Sequence, residues 1–210
     1  MNRLTDTELA IGPVATATAI GDMPALSAAL ESALDAGLSV NELKEVLVQL
    51  YAYAGFPRAL NALGNLMRVL QDRQRRGLHD TEGARPGPVP SPQAMLEAGT
   101  ANQTALAGAP VTGPLFDFAP AIDQFLKAHL FGDIFARDNL PWASRELATV
   151  AALAALDDVE PQLQAHIRIS LNVGLTVEQL DQFADELAAR GAGLAARRAR
   201  AALGPHRESV

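Results

Sequence analysis

One histidine and one glutamate are the residues of this chain best suited to acid–base chemistry. From Pro161 onward, Leu163, His166, Ile167, Ser170 and Leu171 fall at i, i+3, i+4, i+7 and i+8, the spacing of one helix face, so the His166 imidazole points inward. Imidazole is the side chain whose ordinary pKa suits it to give or take a proton near neutrality. Glu146, in the first turn of the preceding helix, is the acidic partner expected to orient it. A plainer reading competes for both residues. A lone histidine on an apolar face is commonly a hydrogen-bonded core residue, and acids are favoured in a first helical turn by the dipole alone. The sequence has no cysteine, which removes disulfides, thiolate metal sites and thiol redox chemistry.

Three helices position this pair. Leu140-Pro141 starts an alanine-rich helix whose Leu147, Val150, Ala151 and Ala154 make a smooth, narrow face for close packing. Pro161 suits the first turn of the histidine helix, and Gly174 suits the left-handed position beyond its end. Thr176 with Gln179 reads as a capping box opening a third helix, with Leu180, Phe183, Ala184 and Leu187 on one face.

The same pattern occurs earlier in the chain. Leu26 pairs with Leu163, Leu34 with Leu171, Gly37 with Gly174, Leu43 with Leu180 and Leu50 with Leu187, all at a constant shift of 137 residues. This is an internal duplication. It fails at informative places: His166 corresponds to Ala29, and Tyr53-Ala54-Gly55-Phe56-Pro57 corresponds to Arg190-Gly191-Ala192-Gly193-Leu194. Ahead of the first copy, Thr5-Asp6-Thr7-Glu8 reads as a capping box opening a weak helix that Gly12-Pro13 should kink. Pro57 begins a long helix ending in Arg73-Gln74-Arg75-Arg76, read as a solvated basic end.

No stretch alternates with period two, so the fold class is all-α, with two tandem repeats related by a pseudo-two-fold. The expected boundaries are a first repeat at 1–78 and a Pro/Gly-rich semi-rigid linker at 79–119, with a possible short helix over Pro92 to Leu106. A second repeat at 120–204 opens with a broad apolar stripe from Pro120 to Arg137, and a loose tail fills 205–210. Alanine-rich helices bury little area each, so the repeats should pack on one another and the chain should oligomerise.

Composition bounds the function. A net charge of −7 argues against nucleic acid, whose affinity comes from clustered cations. No run of about 18 apolar residues exists, and Met1 to Asp6 lacks the basic start and apolar middle of a signal peptide, so a cytoplasmic, bacterial protein with no membrane partner is expected. No metal and no cofactor is expected.

Arg145-Glu146-Leu147 ahead of an alanine-rich helix, then Gln164-Ala165-His166-Ile167 and Asn172-Val173-Gly174-Leu175-Thr176, resembles the carboxymuconolactone decarboxylase family. Tyr51-Ala52-Tyr53-Ala54-Gly55-Phe56-Pro57, with Ala59-Leu60-Asn61-Ala62, is similar to that family's second motif. The resemblance implies the AhpD-like helical bundle, and a homotrimer of two-repeat chains equivalent to a hexamer of single repeats. The AhpD branch places a Cys-x-x-Cys ahead of the histidine; here Val159 and Gln162 stand at those positions, so a hydroperoxidase or peroxiredoxin-type activity is disfavoured.

The decarboxylase branch needs no thiol. It implies a carboxy-lyase acting on a small carboxylated lactone or related enolisable acid. Such a reaction asks for a cation to hold the spectator carboxylate, an apolar wall to desolvate the departing one, and an acid to protonate the carbanion. His166 with Glu146 are the catalytic candidates. Arg145 is the clamp named for the carboxylate, with Arg168 as a second choice, although a solvated Arg145 and an outward Arg168 are the plainer readings. Phe125, Trp142 and Tyr53 are candidates for the wall, His129 for a pocket contact, and Asn61 for substrate binding or for locking the Gly55 turn with Tyr53. The alternative is an oligomeric scaffold that binds small molecules without catalysis. The histidine motif lies in one repeat and the tyrosine motif in the other, so a composite pocket, within or between chains, is expected.

Overall fold

The computed structural model describes residues 3–209. Two units of matching helices form it. The first comprises α1 (Asp6–Ile20), α2 (Met23–Asp35), α3 (Val40–Gln49), the single turn α4 (Tyr51–Ala54) and α5 (Phe56–Arg75). After α6 (Met95–Ala107), α7 (Pro114–Phe118) and α8 (Pro120–Gln124), α8 widens into a π-helical segment, Phe125–Ile134. The second unit is α9 (Trp142–Ala155), α10 (Glu160–Asn172), α11 (Val177–Ala189) and α12 (Gly193–Leu203), followed by a 3-10 turn, Gly204–Ser209. Among the described residues there is no strand, and no helix is long and apolar enough to cross a membrane.

Local sequence sets the boundaries. Thr5 with Glu8, Ser39 with Glu42 and Thr176 with Gln179 each form a capping box with both bonds made. Gly37 and Gly174 end α2 and α10 with φ of 100° and 98°, a left-handed turn repeated at the same place in each unit.

The units face each other across a pseudo-two-fold, with α1 against α9 at its centre. Each central helix packs on its own unit's next helix and on the third helix of the other, α1 on α11 and α9 on α3. One hydrophobic core runs through both units, from Leu26, Leu30 and Leu47 to Phe183 and Leu187. Helix α1 is therefore not the weak element its Gly12-Pro13 suggested. It runs unbroken through Pro13, and Ile11 to Ala19 are buried at every position except Pro13, because these residues are small and mostly apolar on every side, with only Thr16 and Thr18 polar. Gly12 is required by proximity: a Cβ there would meet Leu187 and Phe183 of α11 at 2.8 Å.

Arg73 also departs from expectation. It is 4% exposed and donates to Asp80, Glu31 and Asp35, the bond to Asp80 first among the causes that hold its guanidinium above its ordinary pKa. Asp80 belongs to the Pro/Gly-rich stretch, which runs as a strap across the first unit. Its Thr81 and Glu82 carbonyls accept from the Val40 and Asn41 N–H groups at the start of α3, 2.9 Å each. Helix α6 then packs on the π-helical segment so closely that a Cβ on Gly99 would strike the Lys127 carbonyl. Leu106, Leu130, Phe131, Ile134, Phe135 and Ile169 make a second, smaller core there. At the other end of the chain, Arg207 pairs with Asp181 and holds the last turn on α11.

Candidate functional site

Helix α9 carries Arg145 and Glu146 side by side, about 100° apart around the helix axis, so the two side chains serve different neighbours. Glu146 faces α10. It is fully buried, and its Oε2 accepts from His166 Nδ1 at 2.8 Å. His166 is itself 8% exposed, one helix turn before Ser170, whose hydroxyl donates to the His166 carbonyl. With Nδ1–H given to the carboxylate, Nε2 is the nitrogen left for exchange. Glu146 Oε1 is buried and has no hydrogen-bond partner among the described residues.

The third group comes from the other repeat. Tyr53, on α4, sets its ring edge-on to the His166 imidazole, with centroids 5.6 Å apart and planes at 81°. Its hydroxyl lies toward Thr149 but makes no hydrogen bond of ordinary geometry. Burial first, and the Glu146 charge second, push the phenol far above its ordinary pKa. Histidine, glutamate and tyrosine thus meet within one chain, at the seam between the units. Tyr53 and Trp142 also pack on the smaller core around Ile169 and Phe135, which gives the site an apolar side. The Trp142 indole N–H donates to the Phe135 carbonyl at 2.9 Å, which fixes its ring.

Other expected residues lie elsewhere. Arg145 is neither solvated nor free to clamp a carboxylate. It is 0% exposed, its Nη2 donates to Glu45 at 3.1 Å and to the Arg137 carbonyl at 3.0 Å, and its Nη1 donates to Gln49 at 3.2 Å. Burial pulls its guanidinium below the ordinary range against the charge of Glu45, and the Phe135 ring covers it at 5.9 Å. Phe125 is 63% exposed and outside the wall. His129 is exposed on the π-helical segment, pairs with Asp133 at 2.6 Å and leans on Tyr51. Asn61 is exposed on α5, as is Arg168 on α10. Val159 packs on the main core just before α10, and Gln162 is exposed.

Around Arg145 lies a group of residues that the sequence did not single out. Glu45 is 4% exposed and takes three bonds from Arg137 as well as the one from Arg145. Gln49 is fully buried and donates to the Arg145 carbonyl and to Thr149. The available signal was the i, i+4 pair Glu45/Gln49 on a short helix otherwise rich in Leu and Val, since polar groups there are buried only when paired. Among the described residues no three His, Asp or Glu side chains gather as metal ligands.

A family model described as the carboxymuconolactone decarboxylase family matches residues 2–66 and 120–204, the two repeats. Over 68 residues the chain is 34% identical to the 4-carboxymuconolactone decarboxylase of Acinetobacter baylyi (strain ATCC 33305 / BD413 / ADP1), a stretch that is 32% of this chain and 50% of that protein. The chain therefore spans about half the length of the curated relative it matches.

Proposed function

The chain belongs to the carboxymuconolactone decarboxylase family, and from that premise we propose that it decarboxylates a small carboxylated lactone by acid–base chemistry centred on His166. The observation that carries the reading is the buried His166–Glu146 pair at 2.8 Å, with Tyr53 of the other repeat against its ring. In the proposed step the C–C bond to the departing carboxylate breaks, CO₂ leaves, and the electron pair delocalises into the unsaturated lactone carbonyl. His166 Nε2 takes a proton from solvent, which makes the ring an imidazolium held by Glu146, passes that proton to the carbanion carbon, and returns to the neutral ring with its proton on Nδ1. Glu146 holds the ring so that Nε2, not Nδ1, meets the substrate. Tyr53 and Trp142 supply apolar surface that favours loss of the carboxylate charge.

The test is turnover of 4-carboxymuconolactone, followed by CO₂ release and loss of the lactone. His166→Gln should lower the rate by roughly 10²–10⁴ while leaving the helical signal and thermal midpoint near wild type. No turnover by the wild type, or turnover untouched by His166→Gln, overturns the reading. One observation favours a non-catalytic, small-molecule-binding scaffold instead: both Nη groups of Arg145 are committed to Glu45, Gln49 and the Arg137 carbonyl, which leaves the substrate's second carboxylate without that cation. The scaffold reading gains if the lactone binds without turnover. A thiol peroxidase is disfavoured because the sequence has no cysteine.

Assembly as a homotrimer belongs to the same proposal. Phe56, Leu60 and Met67 leave an apolar stripe about 60% exposed along α5, a face suited to another chain. Light scattering should report three chains, and a monomer at micromolar concentration would refute it.

A further inference from the structure

A cavity of about 540 Å³ opens between α1, α2 and the turn joining α11 to α12, well within the size range of small-molecule sites. Its position is the notable point. By the shift of 137 residues, Ala29 in its wall corresponds to His166, Arg190 to Tyr53, Ser32 to Ile169, Thr16 to Leu153 and Ala10 to Leu147. The cavity is the pseudo-symmetric counterpart of the His166 site, and at each of these places except Arg190 the first repeat holds the smaller side chain. Arg190 lines the space, but its side chain is half-exposed and its guanidinium is turned to Glu186 of α11, 2.7 Å away. Matching helices frame both places, α1 and α2 here and α9 and α10 there. What imidazole, phenol and branched aliphatic groups fill in one is therefore open in the other.

We propose that this cavity is a second ligand site, for a compact, uncharged, ring-sized apolar molecule, independent of any reaction at His166. Shape argues for a ring, because the groups missing relative to the His166 site are the imidazole of His166 and the phenol of Tyr53. Charge argues for a neutral one: Arg190 is spent on Glu186, and Asp22 is spent on the first turn of α2, where it accepts from the Ala25 N–H at 3.0 Å. The remaining wall is alanine, glycine and proline with Thr16 and Ser32, and half-exposed Ile20 and Leu194 form an apolar mouth. An apolar space of this kind holds water poorly and gains by exchanging it for hydrocarbon.

Calorimetry of the full chain with p-cresol as probe tests this. One molecule per chain should bind, with Kd of roughly 0.1–1 mM for about eight heavy atoms transferred to an apolar wall. Benzoate, the charged comparator of similar size, should bind at least about tenfold more weakly. Ala29→Phe should fill the space and weaken p-cresol at least about tenfold. Ser32→Ile, which installs the residue held by the other repeat, repeats the test with a milder change should Ala29→Phe fail to fold. No binding at millimolar p-cresol overturns the proposal, and so does binding that survives in both variants or is lost instead on Tyr53→Ala. Benzoate binding as tightly as p-cresol overturns the ligand class. A change of oligomeric mass in Ser32→Ile would assign the space to a chain–chain contact and overturn it too.

Discussion

Where the second repeat sets His166 against Glu146 and draws Tyr53 across the seam, the first holds Ala29 and Leu9 at the matching positions, and Arg190, the counterpart of Tyr53, turns to Glu186 of its own unit. Yet the two repeats share the capping boxes at Ser39 and Thr176, the left-handed glycines 37 and 174, and the leucine stripes of α2 and α10. The scaffold depends on positions that face the shared core, and these match. Site chemistry depends on a few positions at the seam, and these differ. Two copies of one helical unit can therefore keep each other folded while only one retains acid–base groups.

The seam is held unequally, and breaking it there should give the largest effect on stability. Glu45 of α3 takes the bonds of Arg145 and Arg137, whereas its counterpart Gln182 of α11 only exchanges bonds with the Leu4 backbone, at 2.9 and 3.4 Å. Glu45→Ala leaves the Arg145 cation fully buried without its carboxylate and should cost about 3–5 kcal/mol in urea unfolding. Gln182→Ala removes neutral hydrogen bonds at a part-buried place and should cost about 1 kcal/mol. Equal losses would mean that packing alone joins the units and that the buried ion pair contributes nothing special.

Acid should distinguish the two positions next. Burial pushes the Glu45 carboxyl up, but the bonds and charges of Arg137 and Arg145 outweigh it and hold the group below its ordinary 4.5. A folded pKa below the unfolded one adds stability that is complete above the unfolded value and is lost as pH falls through the folded value. Wild type should lose stability steeply below pH 4.5, and Glu45→Gln should show a shallower slope, because position 45 then no longer titrates, as Gln182 does not. Glu31, held down first by its bond to Arg76, titrates in the same window in both proteins, so the difference in slope belongs to Glu45. Identical slopes would sink the assignment.

Much of this was legible in the sequence, and the limit has a physical form. Helix faces, caps and the repeat are local or periodic, so Leu163 to Leu171 and Thr176 with Gln179 announce themselves. The inward His166 is of the same kind, since its stripe fixes its direction. Arg145 is the opposite case. Next to Glu146 in an alanine-rich helix it reads as a surface cation, and only a partner 100 residues away, Glu45, makes its burial possible. Arg73 failed in the same way, with Glu31, Asp35 and Asp80 gathered from other elements. Helix α1 was misjudged because Pro13 lowers intrinsic propensity, while contact with α9 on one side and α2 on the other decides the outcome. The π-helical turns at Phe125–Ile134 lie against α6, a partner that no pattern within that stretch encodes.

The smallest effect tests the comparison at its finest grain. Thr16 and Leu153 hold matching positions on α1 and α9, Thr16 lining the cavity and Leu153 in the main core, yet Thr16 carries a hydroxyl that is buried without a partner among the described residues. Two residues on, Thr18 shows what a threonine in this helix can do, donating to the Val14 carbonyl one turn back at 2.8 Å. Thr16 makes no such bond, so its hydroxyl bears the desolvation cost with nothing returned. Thr16→Val keeps the shape, removes the unpaired group and moves the position toward the apolar character of Leu153. It should stabilise the protein by about 0.5–1 kcal/mol, a rise of roughly 1–4 °C in thermal midpoint. Thr16 lines the open cavity, so the opposite result has a defined meaning. A fall in the midpoint would show that Thr16 has a partner in solution, and the first repeat's space would then be polar where the second repeat's is filled.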